Sequence, residues 1–201
     1  MTFVAPLPAS TVRQADWYGL DLSAQLVERV TIIDADLTEA HGRGVRFVDC
    51  TFRGCELRCL EFSDAAFENC TFARCAVFDA ALTDCKFIGS RFDPTAFDQV
   101  RVEGGDWSFV GMGGSDLRRA RFSGVRMREA DLSGVLCAGG SLRDCDLAGA
   151  SFDRGDFSRC DLRGSDLSSM SPTTVHLERA IVDWTQAVRI AANLGLDVRA
   201  E

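Results

Sequence analysis

The chain has 201 residues, of which 46% are hydrophobic, and its 22 Lys and Arg against 30 Asp and Glu give a formal net charge of −8. This length fits one domain. The acidic surplus argues against direct nucleic-acid binding, because contacts to phosphate need a surplus of Lys and Arg, and it favours a basic partner.

Residues 1–14 are predicted to form an N-terminal tail. They read MTFVAPLPASTVRQ and lack the basic region and long apolar core of a signal peptide. No apolar run in the chain approaches the roughly 18 residues that a membrane span requires. We therefore expect a cytoplasmic protein without membrane contact.

Residues 15–184 carry a repeat of five residues. Of the 34 positions taken in steps of five from Trp17 to Val182, 32 are apolar, and the exceptions are Gly42 and Pro172. We call each of these positions the centre of its pentad. A single helix would spread the centres around its whole circumference, and a straight strand would alternate them between two sides. The period therefore predicts a short extended stretch followed by a corner in every pentad.

Four such corners close a square coil of about 20 residues, whose strands pair with the next coil at about 4.8 Å. We predict an all-β fold, a right-handed quadrilateral parallel β-helix, because parallel crossovers are nearly always right-handed. Residues 20 apart then stack, for example Phe47 on Phe67 and Phe52 on Phe72. The four columns of centres define face 1 (Trp17 to Leu177), face 2 (Leu22 to Val182), face 3 (Val27 to Leu167) and face 4 (Ile32 to Pro172).

Seven of the nine cysteines lie two residues before a centre, a slot that otherwise holds mostly small residues. No CxxC occurs, and the two histidines, His41 and His176, lie far from any cysteine pair, so the spacing favours no metal site. We expect free, buried thiols, no metal and no cofactor.

Three segments depart from the repeat. The pentad AHGRG (40–44) places Gly42 at a centre and His41 beside it, and we interpret this histidine as a bulge or turn residue rather than a catalytic group. The glycine cluster GMGG (111–114) keeps the register, with Met112 at a centre, and is interpreted as corner and wall. Pro172 lacks an amide donor and is expected to loosen the last coils.

Residues 185–201 are predicted to form a C-terminal helix that caps the open end of the solenoid. Asp183 and Gln186 have the spacing of a capping box, and Gly195 is expected to end the helix. A helix of about 11 residues is marginal alone, so it must pack on another surface. An uncovered end would expose unpaired strand edges.

Acidic charge is concentrated on two neighbouring faces. Faces 1 and 2 carry formal charges of −4 and −3, against −2 and 0 on faces 3 and 4. The acids that contribute are Asp16, Asp36, Glu39, Glu56, Asp79 and Asp98 on face 1, and Asp21, Glu61, Asp64, Asp84 and Glu103 on face 2. The residues alone leave two interpretations open, a solvated surface that keeps a rod soluble or a surface that enters a basic groove.

The pentads ADLSG (130–134), CDLAG (145–149), CDLRG (160–164) and SDLSS (165–169) resemble the pentapeptide-repeat family. Within it, the length, the AHGRG pentad and the C-terminal DWTQAVRIAANLGL (183–196) are most similar to the MfpA/Qnr group. Members of that group are dimers shaped and charged like duplex DNA, which bind DNA gyrase and topoisomerase IV and protect them from quinolones or natural toxins. The resemblance implies the same function here, without catalysis.

The resemblance also implies two sites. The acidic, partner-binding surface would comprise Asp16, Asp36, Glu39, Glu56, Glu61, Asp64, Asp79, Asp84 and Asp98. A homodimer interface at the C-terminus would comprise Trp184, Ala187, Val188, Ile190, Ala191, Leu194 and Leu196. The alternative is an interaction scaffold of the same fold with an unrelated partner, and an enzyme is a distant third because no pocket with a base or metal is apparent.

Overall fold

The computed structural model describes residues 10–199, which form a parallel β-solenoid ending in one short helix. Its 17 strands are very short. They are β1 (Thr11–Arg13), β2 (Leu26–Glu28), β3 (Thr31–Ile33), β4 (His41–Arg43), β5 (Arg46–Val48), β6 (Thr51–Arg53), β7 (Glu56–Arg58), β8 (Glu61–Ser63), β9 (Ala66–Glu68), β10 (Thr71–Ala73), β11 (Ala76–Phe78), β12 (Ala81–Thr83), β13 (Arg91–Phe92), β14 (Phe97–Asp98), β15 (Arg101–Glu103), β16 (Arg121–Ser123) and β17 (Ser141–Arg143); helix α1 spans Trp184–Asn193.

A typical pentad combines a strand with a corner, as in residues 50–54. Phe52 points inward and is fully buried, while Thr51 and Arg53 on either side point outward. Gly54 then takes a left-handed conformation with φ of 64° and turns the chain. Cys55 points inward again and begins the next pentad. The corner explains why this position favours Gly and Asp, which tolerate positive φ better than most residues.

The four sheets confirm the predicted quadrilateral β-helix. Face 1 contains β7, β11 and β14; face 2 contains β4, β8, β12, β15, β16 and β17; face 3 contains β2, β5 and β9; and face 4 contains β1, β3, β6, β10 and β13. Every pairing is parallel and joins residues 20 apart, such as Thr51 with Thr71. Single bridges continue the faces as far as Asp161 with Ile181.

The interior is one continuous apolar column, in which the aromatic rings stack as the period predicts. On face 3, the ring centroids of Phe47 and Phe67 are 5.2 Å apart and those of Phe67 and Phe87 are 4.6 Å apart. On face 4, the rings of Phe52 and Phe72 lie 4.8 Å apart with planes only 6° from parallel. These distances match the strand spacing, so backbone pairing and ring stacking reinforce each other.

Seven of the nine cysteines line the inside of the corners. All nine are free, eight are buried and Cys59 is half-buried. A typical thiol is that of Cys70, which donates to the Phe47 carbonyl at 3.4 Å. Cys137 differs because it lies at a centre, and its Sγ is 3.2 Å from that of Cys160. The stacking of residues 20 apart did not predict this contact, which joins residues 23 apart.

The limits of the solenoid differ from the prediction at both ends. Pairing begins with Thr11–Arg13 against Thr31–Ile33, inside the segment expected to be a tail, and the rest of that tail, residues 1–9, lies outside the described residues. Helix α1 begins at Trp184, immediately after its N-cap Asp183, rather than at residue 185. The capping box sets this start.

The glycine cluster behaves as predicted, whereas the loosening expected at Pro172 stays a prediction. Gly111 pairs in register with Arg91 and Asp131, and Met112 is buried. At Pro172 the ladder shifts by one residue. The amide of Arg154 donates to the carbonyl of Thr174, whereas the regular pattern would join it to the carbonyl of Thr173.

The bulge or turn predicted at His41 is wrong. His41 is the first residue of β4 and pairs with Glu61 in the normal register. Gly42 fits here because a Cβ would lie only 2.9 Å from the backbone nitrogen of Ser23. The missing side chain therefore allows a close approach between coils without altering the strand.

Candidate partner-binding surface

The nine acids predicted to contact a partner all lie on the outside of faces 1 and 2 or on their corners. Five of them are exposed (Asp16, Glu39, Glu61, Asp64 and Asp84) and four are half-buried (Asp36, Glu56, Asp79 and Asp98). These acids lie at pentad positions whose side chains point outward, next to an inward-pointing centre or at the following corner.

The fold brings some of these carboxylates close together. Asp16, Asp36 and Glu56 lie in one column of face 1, each bridged to the next across adjacent coils. Asp64 and Asp84 are also one coil apart, at successive corners of face 2. A spacing of about 4.8 Å between the backbones holds like charges near one another, so the first coils present a negative surface.

Aspartates just before a centre have a structural role as well. Asp36 accepts a hydrogen bond from the amide of Thr38 at 2.9 Å and so closes a local turn. The hydroxyl and amide of Thr38 lower the pKa of Asp36 below its ordinary value of 3.8. The same bond links Asp16 to the amide of Tyr18. The turn thus fixes the direction of both carboxylates, and it favours the ionised form of Asp36.

Ion pairs compensate four of the nine acids. Arg43 lies 2.7 Å from Asp64 and Arg58 lies 2.6 Å from Glu56. Asp79 and Asp98 pair with Arg101 and Arg119 at 3.2 and 3.1 Å. Among residues 10–199, the acids of the predicted set without an ion pair are Asp16, Asp36, Glu39, Glu61 and Asp84. Since the pairs are exposed and weak, a partner can compete for them.

Tyr18 is a surface residue that the sequence analysis missed. Its side chain is 53% exposed on face 1, beside the acidic column. A hydrogen bond to the Glu39 carboxylate and the charge of that group raise the pKa of Tyr18. The signal was available, because an aromatic residue directly after a centre must point outward.

The seven residues of the predicted dimer interface divide into two groups. Trp184, Leu194 and Leu196 are 82%, 52% and 61% exposed. Ala187, Val188, Ile190 and Ala191 are half-buried, and Ile190 packs against the solenoid core. The helix therefore covers the end of the solenoid with one side and exposes apolar groups on another.

Gln186 attaches α1 to the last complete coil. Its side-chain oxygen accepts from the Asp183 amide at 2.8 Å, and Asp183 accepts from the Gln186 amide at 2.9 Å, which confirms the predicted capping box. The amide nitrogen of its side chain also donates to the carbonyls of Leu162 and Ser165 at 2.6 and 2.7 Å. The Leu162 carbonyl also accepts from the Ser165 amide, so these bonds attach the helix to the coil and give the Ser165 carbonyl a partner.

The described residues contain no cluster of three or more His, Cys, Asp or Glu side chains that could hold a metal ion. They also contain no helix of the length and apolar character needed to cross a bilayer.

Two family models match the repeats. One describes a pentapeptide repeat region and matches residues 45–122, and the other describes eight copies of the pentapeptide repeat and matches residues 130–168. Together they cover more than half of the chain. The chain belongs to the pentapeptide-repeat family.

Solved structures of the same repeat type are similar to this pentapeptide-repeat protein only at low identity. A trypsin-treated form of QnrB1, a plasmid-mediated fluoroquinolone resistance protein, is 19% identical, with a TM-score of 0.46 over 95% of this chain and 98% of that one. HetL from the cyanobacterium Nostoc, involved in regulating heterocyst differentiation, is 14% identical, with a TM-score of 0.41 over 84% and 87% of the two chains. No curated protein sequence matches the chain.

Proposed function

We propose that this pentapeptide-repeat protein binds a type II topoisomerase, with DNA gyrase as the first target and topoisomerase IV as the second, by presenting an acidic rod where duplex DNA would lie. Binding would change supercoiling activity and protect the enzyme from quinolones or natural toxins in the cytoplasm. The observation that carries the proposal is the column of carboxylates on face 1, with Asp64 and Asp84 at successive corners of face 2 beside it. The protein would act by binding alone, without catalysis or a cofactor.

The likeness to DNA is local. Duplex DNA carries one negative charge per about 1.7 Å of its axis, whereas each chain has a net charge of only −8. A basic groove would therefore meet matching charge only at patches such as Asp16, Asp36 and Glu39. Binding of this kind is steered by electrostatics and weakens as salt is added.

Exposed apolar side chains on α1 and just after it support a homodimer. Trp184, Leu194 and Leu196 present apolar surface at the end of the rod, and a two-fold axis there would pair the same patch of two copies. Such a dimer would double the length of the acidic rod. Sedimentation should show a dimer for the parent protein and a monomer for the variant Trp184→Ser, Leu194→Ser. Leu136→Ser, which changes an exposed leucine on face 1, should remain dimeric.

The acidic surface is tested by reversing charge on face 2. The variant Glu61→Lys, Asp64→Lys, Asp84→Lys should lose inhibition of gyrase supercoiling, and the parent should inhibit more strongly at low than at high salt. The matched control reverses three acids on face 4, Asp93→Lys, Asp131→Lys and Asp153→Lys, with the same total change in charge. Equal inhibition by the parent and the face 2 variant would remove this surface from the proposal.

The second candidate is an interaction scaffold with an unrelated partner. It is favoured by the compensation of Glu56, Asp64, Asp79 and Asp98 by arginines. A parent protein that neither alters supercoiling nor protects gyrase from a quinolone would support this candidate over the first.

A further inference from the structure

One coil of this acidic rod is basic. We divide the repeats from residue 15 to residue 174 into coils of 20 residues. Residues 115–134 have a surplus of two positive charges, whereas all the other coils are neutral or negative. They contain Arg118, Arg119, Arg121, Arg126 and Arg128 against Asp116, Glu129 and Asp131. The surplus falls on faces 1 to 3 and interrupts the acidic surface.

A groove of about 400 Å³ lies beside these arginines, at the corner between faces 1 and 2. Arg118, Arg119 and Arg121 line it together with Arg101 of the preceding coil. The groove exists because the following coil has Gly139 and Gly140 at the same corner. At Gly139 an added Cβ would meet nothing within 4 Å, so this floor is open.

The groove offers more hydrogen-bond donors than the protein uses. Arg118 pairs with Asp116 at 2.5 Å, Arg119 with Asp98 at 3.1 Å and Arg101 with Asp79 at 3.2 Å. The guanidinium of Arg121 makes no hydrogen bond or ion pair with any of residues 10–199, although the residue lies beside Arg101 in the ladder. Each guanidinium has five N–H donors. The four guanidinium groups face three carboxylates, so some N–H donors and one positive charge have no acidic partner.

We propose that this groove binds a phosphate-bearing anion of at least two negative charges, of which a diphosphate is the simplest form. A single carboxylate is satisfied by one guanidinium, as Asp116 already is by Arg118. A phosphate group presents three acceptor oxygens in different directions and takes several guanidinium forks at once. The arginines reach the groove from two faces of a corner, which suits such a tetrahedral group. The inference does not depend on binding to a topoisomerase.

The first test is calorimetric titration of the full chain with inorganic pyrophosphate. Arg121→Ala should weaken binding about tenfold, as expected for loss of a charge-assisted hydrogen bond. It should leave the fold intact, because the Arg121 guanidinium bonds none of residues 10–199 and the backbone pairing does not depend on it. Arg53→Ala is the matched control, since it removes an exposed, unpaired arginine of face 4 and should leave binding unchanged. No pyrophosphate binding in the millimolar range, or equal weakening by the two variants, would overturn the proposal.

The second test changes affinity in the opposite direction. Asp98→Asn releases Arg119 and should strengthen pyrophosphate binding severalfold, while Asp64→Asn, with the same change in charge near Arg43, should not. Titration with orthophosphate, a nucleoside diphosphate and citrate separates the ligand chemistries. Tighter binding of pyrophosphate or the nucleotide supports the phosphate assignment, and citrate binding as tightly as pyrophosphate overturns it.

Discussion

At the scale of single residues, the inward slot before each centre accepts small groups that can bond the backbone. Ser90 occupies the slot filled by Cys50 and Cys70 in the two preceding coils, and it is fully buried. Its hydroxyl donates to the Phe67 carbonyl at 2.7 Å and accepts from the Cys70 amide at 2.9 Å. Cys70 makes the equivalent bond to Phe47 more weakly, through sulfur. The slot therefore requires a small side chain first, and a hydrogen-bond donor on that side chain second.

Replacement of Ser90 tests this order. Ser90→Ala should lower the free energy of unfolding by about 1–3 kcal/mol, because it leaves a buried amide and a carbonyl without a partner. Ser90→Cys should cost less, since a thiol fits the same slot in neighbouring coils. Urea denaturation measures both, with the exposed Ser123→Ala as the control. A loss for Ser90→Ala no greater than for Ser123→Ala would contradict this role.

Thiol reactivity should follow burial. Cys59 is half-buried at a corner, whereas the other eight thiols are buried. Burial and the neighbouring Cys160 raise the pKa of Cys137, with the contact to Cys160 as the main cause, and a neutral thiol is a poor nucleophile. Alkylation with iodoacetamide, followed by mass spectrometry, should label Cys59 first in the native protein and all nine in urea. Labelling of Cys137 as fast as Cys59 would be inconsistent with this packing.

At the scale of elements, the short strands and the helix depend on different interactions. A three-residue strand such as β6 is held by its neighbours one coil before and after. Helix α1 has such a neighbour on one side only. Its attachment therefore depends on Gln186, which is both the N3 residue of the capping box and a donor to the last complete coil.

Gln186→Ala should detach α1 before the solenoid unfolds. The change removes the cap and leaves the Leu162 and Ser165 carbonyls without this donor, a local loss of about 1–3 kcal/mol. Hydrogen exchange should show faster exchange in α1 and unchanged protection in β6 and β10. Thr185→Ala, at the exposed neighbouring position, is the control. Unaltered exchange in α1 would show that the apolar contacts of Ile190 suffice.

At the scale of the whole molecule, ionised aspartates recur at the outer edge of the coils. Hydrogen bonds from the residue two places on lower the pKa of Asp36 and Asp156, and the guanidinium groups of Arg118 and Arg163 lower the pKa of Asp116 and Asp161. The ordinary value is 3.8. The same type of contact thus stabilises successive coils, and its contributions share one dependence on pH.

Acid should therefore destabilise the solenoid. A carboxyl whose pKa is lower in the folded than in the unfolded chain stabilises the fold above its unfolded pKa, and this contribution is lost as the pH falls through the folded pKa. We expect the free energy of unfolding to be level from pH 7 to about 5 and to fall below about pH 4. Urea denaturation across this range is the measurement. Asp161→Asn should reduce the dependence, and a flat profile down to pH 2 would contradict it.

The period of five determined most of this architecture from the sequence, because it specifies at each pentad which residue points inward and where the chain turns. The Phe47 and Phe52 columns, the free thiols and the cap from Asp183 to Gln186 follow from spacing alone. Contacts between adjacent coils did not follow as readily. Arg43 pairs with Asp64, and Arg119 pairs with Asp98, each across 21 residues. A count of charge per face includes both members of such a pair, but it does not reveal that they form an ion pair.

The sequence by itself therefore determined the fold, the inward side chains and the excess of acid on faces 1 and 2, since each depends on position within one pentad. Only the tertiary structure decided which acids remain unpaired, how Cys137 meets Cys160 and where Arg121 lines a groove over Gly139. Those features depend on the direction that long side chains take from one coil to the next. The repeat determines the position of each Cα and Cβ, whereas packing between coils determines where the charged end of a long side chain lies.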